Sequence, residues 1–195
     1  RTMNKHPSQI LVAYDFSETA ELALRHAFDL AAEDPSREFH FLVALDPKKG
    51  LGLKKNETID FEYSEEVLEL ATKRIESTLE EAGYDGALSM LVHVRIGEAG
   101  PQTLALAEEV GANLILVGSH GRTGVKRMLL GSVSEFIVRS AKCPVLVART
   151  REYVDTKRSK IIEVPKGEGG PEYVPPHRFT YKSSAPTRSN AWALY

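Results

Sequence analysis

The chain has 195 residues, enough for one domain with a substantial hydrophobic core and some additional segments. Its hydrophobic fraction of 42% and charged fraction of 27% are ordinary for a soluble globular protein. A formal net charge of −2 at pH 7 gives no electrostatic basis for binding nucleic acid or an acidic membrane surface. The composition therefore argues against the strongly basic classes of protein.

The cysteine content and the hydropathy indicate the cellular compartment of the protein. Cys143 is the single cysteine, which excludes an intramolecular disulfide and is typical of a reducing compartment. We expect it to be a small buried hydrophobic residue. No apolar run approaches the roughly 18 residues that cross a membrane, and the initial RTMNKHPSQ lacks the apolar region of a signal peptide. We therefore expect a cytoplasmic protein without a transmembrane segment.

Apolar runs and helical periodicities alternate along the chain. Continuous apolar runs predict buried strands at 9–14, 38–45, 88–96, 113–117 and 144–148. Apolar residues at helical spacing predict helices at 18–33, about 60–82, about 100–110 and 132 to about 141. Ser17 is the predicted N-cap of the first helix, and Gly111 ends the third. This alternation predicts an α/β fold with a parallel sheet covered on both faces by helices.

Some side chains can be assigned from their spacing. The predicted buried side of the second helix consists of Val67, Leu70, Ala71, Ile75 and Leu79. A polar stretch at 48–56 is interpreted as a mobile loop. His93 in the third strand is interpreted as a packed or hydrogen-bonded residue, because no second metal ligand stands near it in sequence.

A glycine loop joins the fourth strand to the fourth helix, with Gly118, Gly121 and Gly131 spaced as G-2x-G-9x-G and followed by Ser132. Glycines let the backbone approach a ligand closely, and a helix N-terminus presents free N–H groups. The amides of Gly131, Ser132, Val133 and Ser134 would surround an anion, with the Ser132 and Ser134 hydroxyls as further donors. The alternative is that the glycines only turn the loop and Ser132 only caps its helix, with Glu135 completing a capping box. The spacing favours phosphate binding.

The loop matches neither the P-loop nor the G-x-G-x-x-G fingerprint. Its basic residues Arg122, Lys126 and Arg127 either touch phosphates or face solvent. His120 is a candidate acid or base by position, but we interpret it as a turn residue. Asp15 and Gly118 both follow strands, and the carboxyl ends of parallel strands share one edge of the sheet. One ligand site is therefore predicted there.

The motif resembles that of the universal stress protein family, together with the opening ILVAYDFSETAELAL and the ending KCPVLVAR. The resemblance covers about residues 8–149 and implies a Rossmann-like, five-stranded parallel sheet in the order 3-2-1-4-5. It also implies a homodimer, often joined through the last strands, and the subgroup that binds ATP. A role as a regulatory module in the stress response follows from the same resemblance.

Site residues carry over from the family by position. Ala13, Tyr14 and Asp15 would line the adenosine end, and Ala44 would offer its backbone to the adenine edge. Val117 and Gly118 would flank the ribose and phosphates. The phosphates would be held by Gly121, Gly131, Ser132, Val133 and Ser134. ATP is the implied ligand, with AMP or ADP as forms retained on purification. A Mg²⁺ or Mn²⁺ ion would be coordinated by phosphate oxygens and water, since the sequence shows no evident set of carboxylate ligands.

Residues 150–195 differ from the rest of the chain. They contain five of the ten prolines and carry 8 Lys and Arg against 5 Asp and Glu. This composition predicts an extended C-terminal arm after a nucleotide-binding domain at 1–149. Aromatic residues and the pieces KIIEV and RFTYK favour an arm that becomes ordered on contact with a protein partner. Three functions remain open: an ATP-binding regulatory module, an interaction subunit that docks on a protein or membrane complex through the arm, and a slow ATPase. No catalytic residue is predicted.

Overall fold

A computed structural model describes residues 7–47, 59, 61–121 and 130–150. The chain divides into two units, Arg1–Arg151 and Glu152–Tyr195, and the described residues belong to the first. The predicted loop at 48–56 and the predicted arm after Thr150 lie outside the described residues. The arm and the boundary proposed for it therefore stay predictions.

Five strands and four helices alternate in the described residues, as the periodicity predicts. The strands are β1 (Gln9–Ala13), β2 (Glu38–Leu45), β3 (Ser89–Ile96), β4 (Leu114–Gly118) and β5 (Val145–Ala148). The helices are α1 (Glu18–Glu33), α2 (Phe61–Glu81), α3 (Ala99–Val110) and α4 (Ser132–Ser140). Each predicted element is present, and its ends differ from the prediction by one or two residues at most. No helix in this part of the chain is long and apolar enough to cross a membrane.

The strands form one parallel sheet in the order β3-β2-β1-β4-β5. β1 lies at the centre, with Ala13 level with Leu42 on one side and Val117 on the other. The chain crosses from one half of the sheet to the other after β3, so the carboxyl ends of β1 and β4 are adjacent. A ligand crevice is expected at such a switch point. This confirms the predicted α/β fold and strand order.

Two hydrophobic cores lie on opposite faces of the sheet. The core on the α1 and α2 side contains the large side chains Phe39 and Phe41 together with Tyr14 and Leu24. The core on the α3 and α4 side is smaller and contains residues such as Leu11 and Ile137. Cys143 is half-buried against this second core, where burial raises the pKa of its thiol. Both faces of the sheet are covered, as the continuous apolar strands require.

The buried side of α2 differs from the prediction at one position. Leu70 is 57% exposed, whereas Thr78 is buried. Val67, Ala71 and Ile75 are buried as predicted. A helical step of 100° per residue places Leu70 well away from these three, and Thr78 among them. The prediction failed because it extended the buried face to an apolar residue that lies to one side of it.

A carboxylate between α1 and α2 lies beside the buried threonine. Glu21 on α1 accepts hydrogen bonds from the Tyr14 hydroxyl at 2.5 Å and from Arg74 Nε at 2.9 Å. Thr78 Oγ1 lies 2.9 Å from the carbonyl oxygen of Arg74 and 3.2 Å from Glu21 Oε2, so both acceptors are within reach of its single proton. Burial and the Glu21 carboxylate together raise the pKa of Tyr14 well above its ordinary value. Glu21 thus joins the end of β1, α1 and α2 in one polar cluster.

A row of polar side chains crosses three strands on the opposite face. His40 Nε2 lies 2.7 Å from Gln9 Oε1, and His40 Nδ1 lies 3.0 Å from His93 Nε2. The amide oxygen of Gln9 can only accept, so His40 carries its proton on Nε2 and accepts a hydrogen bond from His93. Burial lowers the pKa of both imidazoles. The interpretation of His93 as a hydrogen-bonded residue is confirmed, and its partner lies far away in sequence.

Candidate functional site

A tight turn follows β1 at the carboxyl edge of the sheet. Asp15 Oδ1 accepts a hydrogen bond from the backbone N–H of Ser17 at 3.0 Å. Between them, Phe16 has a φ of 64°, in the left-handed region that a bulky side chain rarely adopts. The Phe16 ring lies 4.9 Å from the Tyr14 ring, centroid to centroid, which anchors the turn to the core. The turn therefore holds the Asp15 carboxylate at the end of the strand.

The loop after β4 is bound to the first turn of α1. Ser17 Oγ and Thr19 Oγ1 both donate hydrogen bonds to the carbonyl oxygen of His120. The backbone N–H of His120 donates in return to Thr19 Oγ1 at 3.3 Å. Ser17 also accepts from the N–H of Ala20, which confirms it as the N-cap of α1. The sequence pointed to the cap but not to Thr19, whose role depends on a contact with a distant loop.

The two ends of the glycine loop are closed against each other. The N–H of Gly131 donates to the carbonyl oxygen of Ser119 at 2.7 Å. Ser134 Oγ donates to the same carbonyl oxygen at 3.0 Å and lies 2.9 Å from the carbonyl oxygen of Gly131. The start of α4 is thereby held beside the end of β4.

The start of α4 differs from the predicted capping box. Gly131 is the N-cap, and no side chain caps the helix. Ser132 is the first helical residue, so its hydroxyl does not take the capping position that pairing with Glu135 requires. Ser132 is exposed at the helix N-terminus. The capping-box prediction was wrong by one residue, because the cap is made by backbone that the S-x-x-E spacing does not specify.

Two of the predicted anion donors are engaged within the loop. The Gly131 amide and the buried Ser134 hydroxyl both bond to Ser119, as described above. The amides of Ser132, Val133 and Ser134 belong to the first helical turn, where N–H groups have no acceptor within the helix. Those three amides and the exposed Ser132 hydroxyl are the donors that a ligand can reach without breaking the loop.

The three motif glycines meet different surroundings. A Cβ at Gly118 would lie 2.7 Å from the backbone carbon of Thr19 and 2.8 Å from the amide nitrogen of Ala20. A Cβ at Gly121 would lie 2.9 Å from Asp15 Oδ2. A Cβ at Gly131 would meet nothing closer than 3.4 Å. Gly118 is thus required by the packing of β4 on α1, and Gly121 brings the loop against the Asp15 carboxylate.

The remaining predicted site residues lie at the same edge, but not all present their side chains there. Ala13 packs on the α3 and α4 side, and Ala44 near the end of β2 is partly exposed. Val117 is buried in the same core, and Val133 packs against it. The Tyr14 side chain is buried on the other face and bonded to Glu21, so only its backbone is near the crevice.

Part of the predicted site is not covered by the structure. Arg122, Lys126 and Arg127 lie outside the described residues, so their contact with phosphates stays a prediction. His120 lies in the loop directly after β4, with its Nδ1 3.1 Å from Ser119 Oγ. In the described part of the chain, no group of three or more His, Cys, Asp or Glu side chains is placed to hold a metal ion.

The chain is similar in fold to several solved structures. The chain is similar to the structure of the Methanocaldococcus jannaschii protein MJ0577, with a TM-score of 0.58, 28% identity, and coverage of 75% of this chain and 99% of that one. It is also similar to an Archaeoglobus fulgidus universal stress protein in complex with dAMP, with a TM-score of 0.50, 25% identity, and coverage of 74% and 99%. A universal stress protein in complex with cAMP shares the fold, with a TM-score of 0.51, 23% identity, and coverage of 73% and 97%.

Sequence comparisons agree with these structures. The universal stress protein MJ0577 is 31% identical over 155 residues, covering 73% of this chain and 95% of that protein. The sequence model of the universal stress protein family matches residues 7–149. That match takes in every described strand and helix and the whole glycine loop. The chain belongs to the universal stress protein family.

Proposed function

We propose that this protein is a regulatory module that binds ATP at the carboxyl edge of the sheet and acts as a homodimer. The observation that carries the proposal is the hydrogen bond from Gly131 to Ser119, which holds the N-terminus of α4 beside the end of β4, where Gly121 approaches Asp15. Helix N-termini of this kind favour phosphate groups. Two members of the family with this fold are bound to dAMP and cAMP, which supports an adenine nucleotide as the class of ligand.

The two parts of the nucleotide are assigned to different walls of the crevice. The phosphates lie on the amides of Ser132, Val133 and Ser134, and the loop from Gly118 to Gly121 flanks the ribose. The adenosine end lies against Asp15, the backbone of Ala13 and Tyr14, and the backbone of Ala44. Mg²⁺ or Mn²⁺ would accompany the triphosphate through phosphate oxygens and water. The two copies of the dimer would meet through β5.

The first test is chemical analysis of the purified protein. Denaturation should release ATP, ADP or AMP in an amount close to one nucleotide per chain, measured by chromatography. Protein that carries no nucleotide, and binds none after Mg-ATP is added, would contradict the proposal. Phosphate release above the rate without enzyme, lost in Asp15→Ala, would instead assign an ATPase activity to the same site.

A charge at the helix start distinguishes ligand binding from folding. Ser132→Asp places a carboxylate at the N-terminus of α4, where it favours the helix but repels a phosphate. We expect ATP affinity to fall at least about tenfold, a loss of about 1.4 kcal/mol, while the thermal unfolding midpoint of the free protein is kept or raised. Ser132→Asn, which matches the size without the charge, is the control and should retain most of the affinity. Equal binding by both variants would place the phosphates elsewhere.

A further inference from the structure

The two edges of the sheet differ in length. β5 ends one side of the sheet and has 4 residues, whereas β3 ends the other side and has 8. All eight residues of β3 are in register with β2, from Ser89 beside Glu38 to Ile96 beside Leu45. In the described residues β3 has no strand on its outer side. A long, regular edge strand is a template for pairing with another strand.

The backbone groups of the outer edge can be identified from one hydrogen bond. The N–H of Gly97 donates to the carbonyl oxygen of Leu45, so this amide points toward β2. In a parallel ladder the N–H and C=O groups of successive residues point to alternate sides. The groups that point away from β2 therefore belong to the even-numbered residues Met90, Val92, Val94 and Ile96.

The side chains beside this edge are apolar and exposed. Leu91 is 41% exposed on the α3 face, and Ile96 is 51% exposed on the α2 face. On α2, which packs against β3, Phe61 is 78% exposed and Leu68 is 37% exposed. β3 contains no proline and no lysine, residues that commonly protect an edge strand from pairing. These features leave the edge open to another strand.

The sequence of β3 is complementary to itself in one antiparallel register. With Val92 opposite Val92 of a second copy, Met90 faces Val94 and Leu91 faces His93. The same register sets Arg95 opposite Ser89, whose hydroxyl donates to Glu38 at 3.2 Å. Arg95, which forms an ion pair with Glu109 in its own copy, then lies near Glu38 of the other copy at both ends of the pair. A shift that centres on His93 would instead place two imidazoles face to face and leave Arg95 opposite Leu91.

From these observations we infer that β3 is an interface between two copies of this chain, paired antiparallel about Val92 into a continuous ten-stranded sheet. The contact lies at the edge opposite to β5. It is independent of nucleotide binding, because none of its residues belongs to the crevice. Together with the proposed contact through β5, it would join dimers edge to edge, and the two interfaces are separable by mutation.

A proline scan of the two edges tests the pairing. Val92→Pro removes an N–H that points away from β2, so it spares the β2–β3 ladder while it blocks the outer edge. Val147→Pro does the same at β5, because the carbonyl of Ala148 already bonds to Ser119 and places Val147 on the outer side. Light scattering over a concentration series should show that Val92→Pro lowers the association of the full chain and that Val147→Pro leaves the β3 contact in place. Association that is unchanged in Val92→Pro, or a full-length chain that is monomeric throughout, would overturn the inference.

Cysteine cross-linking tests the register without a folding-sensitive substitution. In a Cys143→Ala background, Val92→Cys should form an intermolecular disulfide rapidly, because directly opposite residues of a hydrogen-bonded pair have Cα atoms about 5.5 Å apart. Leu91→Cys is the matched control, since it faces His93 and not its own copy. Cross-linking of Val92→Cys that is no faster than that of Leu91→Cys would exclude this register. Circular dichroism confirms that each variant is folded.

Discussion

At the scale of single residues, Tyr14 shows that a position can match the site pattern of a family while its side chain stabilises the fold. Its backbone lies at the end of β1 near the proposed adenosine site, while its hydroxyl donates to the partly buried Glu21 carboxylate. A hydrogen bond to a charged acceptor contributes more than one between neutral groups. Substitution at this position therefore reports on stability more than on ligand binding.

We expect Tyr14→Phe to lower the free energy of unfolding by about 1.5–3 kcal/mol, because the partly buried Glu21 carboxylate loses one of its donors. ATP affinity should change little. Tyr84→Phe is the matched control, since its hydroxyl bonds at 3.3 Å to the carbonyl of Ala87 in an exposed position, and a loss of less than about 0.5 kcal/mol is expected there. Urea unfolding of the three proteins measures both values. Equal losses would show that the Glu21 cluster contributes nothing beyond a surface hydrogen bond.

Substitution of Gly118 and substitution of Gly131 should also differ in their cost to stability. Gly118→Ala forces a Cβ against the backbone of α1, and overpacking of this kind costs about 1–3 kcal/mol. Gly131→Ala meets only ordinary contacts and loses a favourable N-cap residue, so we expect a loss of about 0.5 kcal/mol. Thermal unfolding compares the two. A Gly131 variant that is as unstable as the Gly118 variant would contradict the packing described for the loop.

At the scale of secondary structure elements, the polar row through Gln9, His40 and His93 couples three neighbouring strands. The charged groups near the pair are Glu38 on β2, Arg95 on β3 and Glu109 on α3, and Glu109 is engaged by Arg95 in a two-pronged ion pair. Burial disfavours the charged form of both imidazoles, and the neighbouring charges do not offset this effect, so the pKa of each histidine is lowered. A proton added to His40 Nδ1 would also set two N–H groups against each other across 3.0 Å.

Stability should therefore decline as the pH falls. The pKa of both histidines is lowered in the folded state, so the unfolded chain binds more protons just below the ordinary histidine pKa of about 6.5. The stabilisation is complete above that pH and is lost as the pH drops through the lowered folded values. His93→Gln keeps a donor for His40 and removes one titrating group. Urea unfolding between about pH 7.5 and pH 5.5 should show a shallower decline in this variant, whereas an unchanged decline would assign the pH dependence to other groups.

Elements were predictable from the sequence where the signal is local. Continuous apolar runs located all five strands, and Ser17 and Gly111 located the ends of α1 and α3 through side-chain capping and a left-handed glycine. The start of α4 at Ser132 was predicted correctly, but its N-cap was placed one residue late, because the N-cap is a glycine held by a backbone bond to Ser119. Leu70 was assigned to the core because hydrophobicity alone does not show which face of a helix is covered. Contacts between distant segments decide both cases.

At the scale of the whole molecule, the alternation of elements and the family resemblance predicted the strand order, which is confirmed. They also predict a ligand site at the carboxyl edge of the sheet. The sequence could not show that Ser17 and Thr19 hold the glycine loop, because these residues are about a hundred positions from His120. Nor could it show that His40 pairs with His93 or that the Ser134 hydroxyl turns inward. Such contacts exist only once the sheet is assembled. The sequence thus indicated the carboxyl edge of the sheet, but not the hydrogen bonds that are found there.

The packing of Gly118 against α1 has a consequence for how this family diverges. A relative that has lost its ligand still needs β4 to pass close to α1, so selection for folding alone retains glycine at this position. Gly131 meets no such steric demand, and Gly121 is constrained only by Asp15. The second and third motif glycines should therefore drift in lineages that no longer bind nucleotide, while the first persists. A sequence survey that scores the three positions separately would distinguish inherited architecture from retained binding.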